Sequence, residues 1–160
     1  MLHITILTVG RLKERYLNAG MSEYLKRLSA YTRIKIVEVD KEGFTGRLTS
    51  SGREKIKEIE GARLLSRIQE GTFLIALDAK GAAYSSEEMA VFLDKIALEG
   101  KSKITFVIGG PLGISPSLLE RADFRLSFSR MTFPHQLMRL LLLEQLYRWF
   151  KIARGETYHF

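Results

Sequence analysis

The hydrophobic and polar positions near the start of the chain follow two different periods. Residues 3–9 (HITILTV) and 33–40 (RIKIVEVD) have the alternating, apolar pattern of strands. Between them, residues 13–31 place Leu17 and Met21 at the spacing of an amphipathic helix. The pattern therefore predicts a β-α-β unit.

Strands and helices continue to alternate after a polar segment. Residues 41–52 (KEGFTGRLTSSG) combine charge with glycine and serine, which predicts a mobile surface loop. Helical periodicity returns over residues 53–69, and the apolar run 72–78 predicts a buried strand. Ser85 and Glu88 have the spacing of a capping box, so we expect a helix to begin there.

The last third of the chain repeats this alternation around a glycine-rich segment. Residues 103–108 (KITFVI) predict a buried strand that leads directly into GGPLG, from Gly109 to Gly113. The elements expected after it are a short helix at 117–122, a strand at 124–129 and a long helix from Pro134 to near Gly155. This order predicts an α/β fold with one domain, residues 1–160, in which helices cover both faces of a mostly parallel sheet of about five strands.

Composition excludes several classes of function. The chain of 160 residues has no cysteine, which rules out disulfides, thiolate metal sites and cysteine nucleophiles. Its start lacks the basic leader of a signal peptide, and the apolar run 137–150 contains charged residues, unlike the roughly 20 clean residues of a membrane span. We therefore expect a soluble, cytoplasmic protein with no membrane partner.

The net charge of +7 arises from basic ends that flank an acidic middle. This distribution favours a polyanionic partner, although a surface made soluble by scattered lysine and arginine explains it as well.

The predicted last helix has no clean polar stripe. Its apolar residues, such as Leu137, Leu140 and Trp149, cover most of the circumference. One face is expected to meet the sheet and another a partner chain, which predicts a homodimer. The alternative is a central helix buried within one chain.

In open α/β sheets, ligands bind beyond the carboxyl ends of the strands. The loops that follow Asp78, Ile108 and Ser129 should therefore converge on one crevice. The glycines at 109–113 allow close backbone approach to a ligand, but they match neither the dinucleotide nor the triphosphate motif. A plain strand-to-helix turn remains an equal alternative.

Polar residues on the last helix and in the tail are the other candidates for chemistry. His3, His135 and His159 lack metal-ligand spacing, so no metal site is expected. His135 and Arg139 share a helix face, where the charge of Arg139 needs a partner: a carboxylate across the dimer or a substrate oxygen. Glu144 and Arg148 are spaced for a helix salt bridge. The aromatic tail 155–160 is expected to dock rather than fray, either over a crevice or, equally, on its own domain.

Several motifs together resemble one family. They are Ile108-Gly109-Gly110-Pro111-x-Gly113-x-Ser115-Pro116, Thr132-x-Pro134-His135-x-x-x-Arg139, Glu144-Gln145-Leu146-Tyr147-Arg148 and the terminal Tyr158-His159. The chain is similar over its whole length to the ribosomal RNA large subunit methyltransferase H (RlmH) family of the SPOUT class. It departs from the family pattern at Leu112, where glutamate is common, and at Thr157, where proline is common.

The resemblance implies a SPOUT fold whose C-terminal part forms a trefoil knot. It implies S-adenosyl-L-methionine as cofactor, held by Leu77, Gly109, Gly110 and the run Phe128, Ser129, Arg130, Met131, Thr132 and Phe133. The implied reaction is methylation of N3 of a pseudouridine in helix 69 of 23S rRNA, within the assembled 70S ribosome. Arg139, Tyr158, His159 and His135 are the candidate catalytic residues: His159 as proton acceptor, Arg139 as a charge stabiliser and Tyr158 as a stacking partner for the base.

Two other classes of function compete with this hypothesis. A nucleic-acid or ribosome-binding module without catalysis explains the basic ends but not the three glycines beside an apolar strand. A flavodoxin-like nucleotide-binding enzyme is the other alternative.

Overall fold

The computed structural model describes residues 1–158, over which strands and helices alternate in the predicted order. The strands are β1 (His3–Val9), β2 (Arg33–Val39), β3 (Phe73–Ala83), β4 (Lys103–Ile108) and β5 (Phe124–Ser127). The helices are α1 (Arg15–Leu28), α2 (Ser50–Leu65), α3 (Ser86–Leu98), α4 (Pro116–Arg121) and α5 (His135–Ala153).

The strands form one five-stranded sheet within the described residues, in the order β2-β1-β4-β3-β5. Every neighbouring pair is parallel. All five carboxyl ends therefore lie at the same edge, and the predicted parallel sheet is confirmed.

Helices cover both faces of the sheet. One hydrophobic cluster joins α1, α3 and α5 to Ile4 and Ile6 of β1, and a second joins α2 and α4 to Leu7 and Val9 of the same strand. Both faces of the sheet are therefore buried, which explains the apolar runs of its central strands.

The last helix lies between two other helices of its own chain. Helix α5 contacts α1 on one side and α3 on the other, and residues 135–152 are all buried or half-buried. Intrachain packing therefore accounts for much of the apolar circumference from which a dimer was predicted. The homodimer itself stays a prediction.

Local signals fix several helix ends. The capping box at α3 is confirmed, because the backbone amide of Glu88 donates to Ser85 Oγ at 3.1 Å and that of Ser85 donates to Glu88 Oε2 at 2.8 Å. Helix α2 begins three residues earlier than predicted. Thr49 caps it by accepting a hydrogen bond from Gly52 N, so the loop predicted over 41–52 ends sooner.

No helix in residues 1–158 is long and apolar enough to cross a membrane.

Candidate active site

A cavity of about 510 Å³ opens at the carboxyl edge of the sheet. Residues 77–80 within β3 and the loops that follow β4 and β5 line it, together with His135 and Met138 from the start of α5. The segments after Asp78, Ile108 and Ser129 therefore converge on one crevice, as predicted, although the first of them lies within β3, which continues to Ala83.

Most of the residues expected to hold a cofactor line this cavity. They are Leu77, Gly109, Gly110, Phe128, Ser129, Met131, Thr132 and Phe133. Arg130 belongs to the same loop, but its side chain is exposed and is not part of the lining.

A β-bulge shapes the rim of the cavity. The pairing of β3 with β5 shifts register between Leu77 and Ala82, so that residues 78–81 bulge out of the sheet. Gly81 permits this, because a Cβ atom there would lie 2.6 Å from the carbonyl oxygen of Arg125. The hydroxyl of Ser127 lies 3.0 Å from the carbonyl oxygen of Ala79 and so joins the bulge to the loop after β5.

Packing within the protein restricts both glycines after β4, Gly109 against backbone and Gly110 against a side chain. A Cβ atom on Gly109 would lie 2.8 Å from the carbonyl carbon of Gly113, across a turn closed by a hydrogen bond from Gly113 N to Gly110 O. A Cβ atom on Gly110 would lie 3.0 Å from Glu60 Oε1. At both glycines, the atoms that a side chain would meet thus belong to the protein itself. Both glycines also line the cavity.

His135 is the one histidine among the residues that line this cavity. It is half-buried at the first position of α5. Burial lowers the pKa of His135 below its ordinary value, and the positive charges of Arg139 and Lys41 lower it further. The neutral imidazole, which can accept a proton, is therefore favoured at neutral pH.

Arg139 is 1% exposed and does not line the cavity. Its Nη1 pairs with Glu38 Oε2 at 2.5 Å, and its Nη2 donates to the carbonyl oxygens of Val9 at 3.0 Å and Gly10 at 2.8 Å. The backbone amide of Leu12 donates to the same Glu38 oxygen. The partner of Arg139 thus lies in its own chain, on β2, which neither predicted alternative included.

Tyr158 docks on its own chain and away from the cavity. Its hydroxyl lies 3.4 Å from that of Tyr24 and 3.3 Å from Glu144 Oε1, and its ring meets the Tyr147 ring edge-on. Burial and these neighbours raise the pKa of Tyr158. Arg148 lies over the Tyr158 ring and also forms the predicted salt bridge with Glu144, at 2.6 Å.

The rest of the tail is anchored at the opposite edge of the sheet. The carboxylate of Glu156 accepts hydrogen bonds from Tyr31 and Lys151, both at 2.7 Å. Tyr31 lies just before the amino end of β2, whereas the cavity lies at the carboxyl ends. Up to residue 158 the tail packs on its own chain, which is the second of the two arrangements that the sequence left open, and His159 lies outside the described residues.

Sequence reasoning missed the charged groups in the cavity lining. Lys80 and Arg125 belong to the bulge and to its neighbouring strand, and Lys57 comes from α2. The rule that ligands gather at carboxyl ends points to Lys80, which lies two residues after Asp78. Lys57 carries no such signal, because its helix reaches the cavity only through the tertiary fold. Within residues 1–158 the acidic and histidine side chains form no group that could hold a metal ion.

Known proteins match both the sequence and the fold. The family described as predicted SPOUT methyltransferase matches residues 2–159. The ribosomal RNA large subunit methyltransferase H of Pelotomaculum thermopropionicum is 64% identical, covering 100% of both chains, and that of Carboxydothermus hydrogenoformans is 57% identical, covering 99% of both.

A solved structure shares the fold at low sequence identity. The TrmH/SpoU tRNA modifying enzyme of A. aeolicus superposes with a TM-score of 0.50 at 13% identity, covering 95% of this chain and 77% of that one. With this fold, the full-length family match and these relatives, the chain belongs to the SPOUT methyltransferases and, within them, to the ribosomal RNA large subunit methyltransferase H family.

Proposed function

We propose that this protein is a cytoplasmic, S-adenosyl-L-methionine-dependent methyltransferase of 23S rRNA that acts as a homodimer on the assembled 70S ribosome. Its target is N3 of a pseudouridine in helix 69. The observation that carries the proposal is the cavity formed by the bulge of β3 and the loops after β4 and β5, in a chain 64% identical to a ribosomal RNA large subunit methyltransferase H.

The residues of the cavity fit S-adenosyl-L-methionine. The volume of the cavity, about 510 Å³, falls within the range of about 300–1,000 Å³ that is typical of sites for small ligands and cofactors. Leu77, Ile108 and Phe128 supply apolar walls for an adenosyl group, while Lys57, Lys80 and Arg125 supply positive charge for a carboxylate. When bound, the cofactor supplies an electrophilic methyl group on a sulfonium.

The substrate nitrogen N3 carries a proton that must leave as the new N–C bond forms. His135 is the described residue suited to accept it, because it lines the cavity and its neutral form is favoured. His159 of the tail is the second candidate. The side chains that line the cavity hold the reactants in line, and such positioning supplies much of the acceleration in a group transfer.

Arg139 contributes through position. Its Nη1 and Nη2 atoms are already occupied by Glu38 and by two backbone carbonyls, so we assign it to holding the start of α5, and with it His135, against the turn after β1. The role of stabilising negative charge on the uracil falls instead to the cations of the cavity lining, such as Lys80 and Arg125.

In the proposed homodimer, the tail of one subunit reaches the cavity of the other. Tyr158 contacts α1 and α5 of its own chain. The cavity lies at the first residue of α5, His135, and is therefore far from Tyr158 along this helix. We therefore place the tail of one subunit at the cavity of the other. Met131 and Phe133, which are 75% and 40% exposed at the cavity rim, supply apolar surface for a second subunit. The trefoil knot that the family resemblance implies stays a prediction.

The class of function is tested by titration calorimetry with S-adenosylhomocysteine, FMN and ATP. We expect heat of binding with S-adenosylhomocysteine alone. Binding of FMN or ATP instead would identify a nucleotide-binding enzyme. No binding of any of the three, with ribosome binding retained, would identify a module without catalysis.

A further inference from the structure

Glu60 is a buried acidic residue that the proposed reaction does not use. Its side chain lies on α2 and is only 4% exposed. Oε2 accepts a hydrogen bond from the backbone amide of Glu42 at 3.1 Å, while the buried Oε1 has no hydrogen-bond partner within residues 1–158. Burial raises the pKa of Glu60. Such a group costs stability, so its presence calls for a reason.

The position of the carboxyl group supplies that reason. Oε1 lies directly behind Gly110, 3.0 Å from the point that a Cβ atom there would occupy. Gly61, the next residue of α2, packs so closely on the following segment that a Cβ atom would lie 2.2 Å from Ser115 Oγ. Ser115 in turn caps α4 by accepting a hydrogen bond from Leu118 N. Two successive residues of α2 thus support the glycine loop from behind.

The same helix holds the segment that follows β2. Arg63 Nη2 donates to Glu42 Oε2 at 2.7 Å, and Arg63 Nη1 donates to the carbonyl oxygen of Asp40 at 3.0 Å. The hydrogen bond between Glu42 N and Glu60 completes this contact. Glu60 is therefore the side chain at which the segment after β2 and the loop after β4 meet.

We propose that Glu60 is a positioning residue of the cofactor site, which fixes Gly110 and couples the glycine loop to residues 40–42. The inference rests on the proposed function, in which the backbone at Gly110 faces the cofactor. It implies that position 110 is glycine because a larger residue would displace the loop from Glu60. Direct contact between the new side chain and the cofactor is then the smaller effect.

A double-mutant cycle in cofactor affinity tests this coupling. S-adenosylhomocysteine binding is measured by calorimetry for the wild type, Gly110→Ala, Glu60→Ala and the double variant. We expect Gly110→Ala alone to weaken binding about tenfold, or about 1.4 kcal/mol. Because truncation of Glu60 makes room for the new methyl group, the double variant should bind more tightly than Gly110→Ala alone, by about threefold or more.

Gly109→Ala is the matched control. Its Cβ atom would meet the backbone of Gly113 and the side chain of Ile114 rather than Glu60. Adding Glu60→Ala to Gly109→Ala should therefore give no recovery. If Glu60→Ala does not fold, Glu60→Ser makes the same space and keeps an oxygen atom.

The outcomes separate the two proposals. If the losses of S-adenosylhomocysteine affinity at positions 60 and 110 simply multiply in the double variant, Glu60 does not position the loop. The positioning role is also overturned if Glu60→Ala lowers the melting temperature but leaves the affinity unchanged and gives no recovery in the double variant. A wild-type protein that fails to bind S-adenosylhomocysteine would overturn the proposed function instead.

Discussion

Arg139 is a charged side chain that is almost completely buried at the start of α5. Arginine is almost never fully buried unless it is paired. Here one guanidinium reaches Glu38 on β2 and the carbonyls of Val9 and Gly10 at the end of β1. It thereby joins α5 to two strands next to the cavity, so its loss should weaken the whole protein.

Arg139→Ala should lower the free energy of unfolding by about 2–4 kcal/mol, since it leaves the buried carbonyls of Val9 and Gly10 without this donor and removes the ion pair with the partly exposed Glu38. Urea denaturation provides the measurement. The matched control is Arg27→Ala, which breaks the exposed pair with Glu23 and should cost about 1 kcal/mol or less. Equal, small losses in both variants would contradict the structural role of Arg139.

His135 gives a prediction in pH. Its pKa is lowered by burial, so the neutral form persists to a lower pH than the ordinary value of about 6.5. If His135 accepts the N3 proton, the rate of methyl transfer should stay constant as the pH is lowered to about 6.5. The rate should decrease at lower pH, where the imidazole becomes protonated.

His135→Gln tests this role. The variant should lose about a hundredfold or more in rate while S-adenosylhomocysteine affinity stays close to that of the wild type. A rate near that of the wild type, or an unchanged acid limb of the pH profile, would assign the proton to another group, of which His159 is the first candidate.

The hydrophobic periodicity of the sequence and its helix-capping residues predict most of the helices and strands. The capping box of α3 and the strands β1 and β4 match the sequence analysis residue by residue. The start of α2 was missed because its cap, Thr49, lies inside a polar, glycine-containing segment that is typical of a loop.

The candidate site was predictable only in part, for a related reason. Parallel strands bring their carboxyl ends together, so the approach of the loops after β4 and β5 to the end of β3 follows from the sequence, whereas the bulge in β3 does not. The roles of Glu38 and Glu60 do not, because their partners Arg139 and Gly110 are far away in the sequence. No local pattern marks a pair that is formed only by tertiary packing.

The role of the tail can be tested by removing its last three residues. A chain that ends at Thr157 lacks both Tyr158 and His159, while Glu156 still reaches Tyr31 and Lys151. We expect an intact dimer by light scattering, near-normal S-adenosylhomocysteine affinity and almost no methyl transfer to 70S ribosomes. Wild-type turnover would remove both residues from the mechanism, and a monomer would make the tail a dimerisation element only.

At the scale of the whole molecule, the net charge of +7 suits a ribosomal partner. Arg11 and Lys13 follow β1 at the carboxyl edge of the sheet, while Arg154 lies with Tyr31 at the opposite edge. Both edges would face RNA if two subunits bring a tail and a cavity together. Ribosome affinity should then fall steeply between low and physiological salt, and a flat response would count against phosphate contacts.

Methyl transfer from labelled S-adenosyl-L-methionine to 70S ribosomes that lack the modification tests directly whether this protein methylates 23S rRNA. The labelled RNA is digested and the modified nucleoside is identified by mass spectrometry. We expect a single labelled product, a pseudouridine methylated at N3 in helix 69 of 23S rRNA. A protein that binds the cofactor but leaves 23S rRNA unlabelled, or that labels another RNA, would contradict the account.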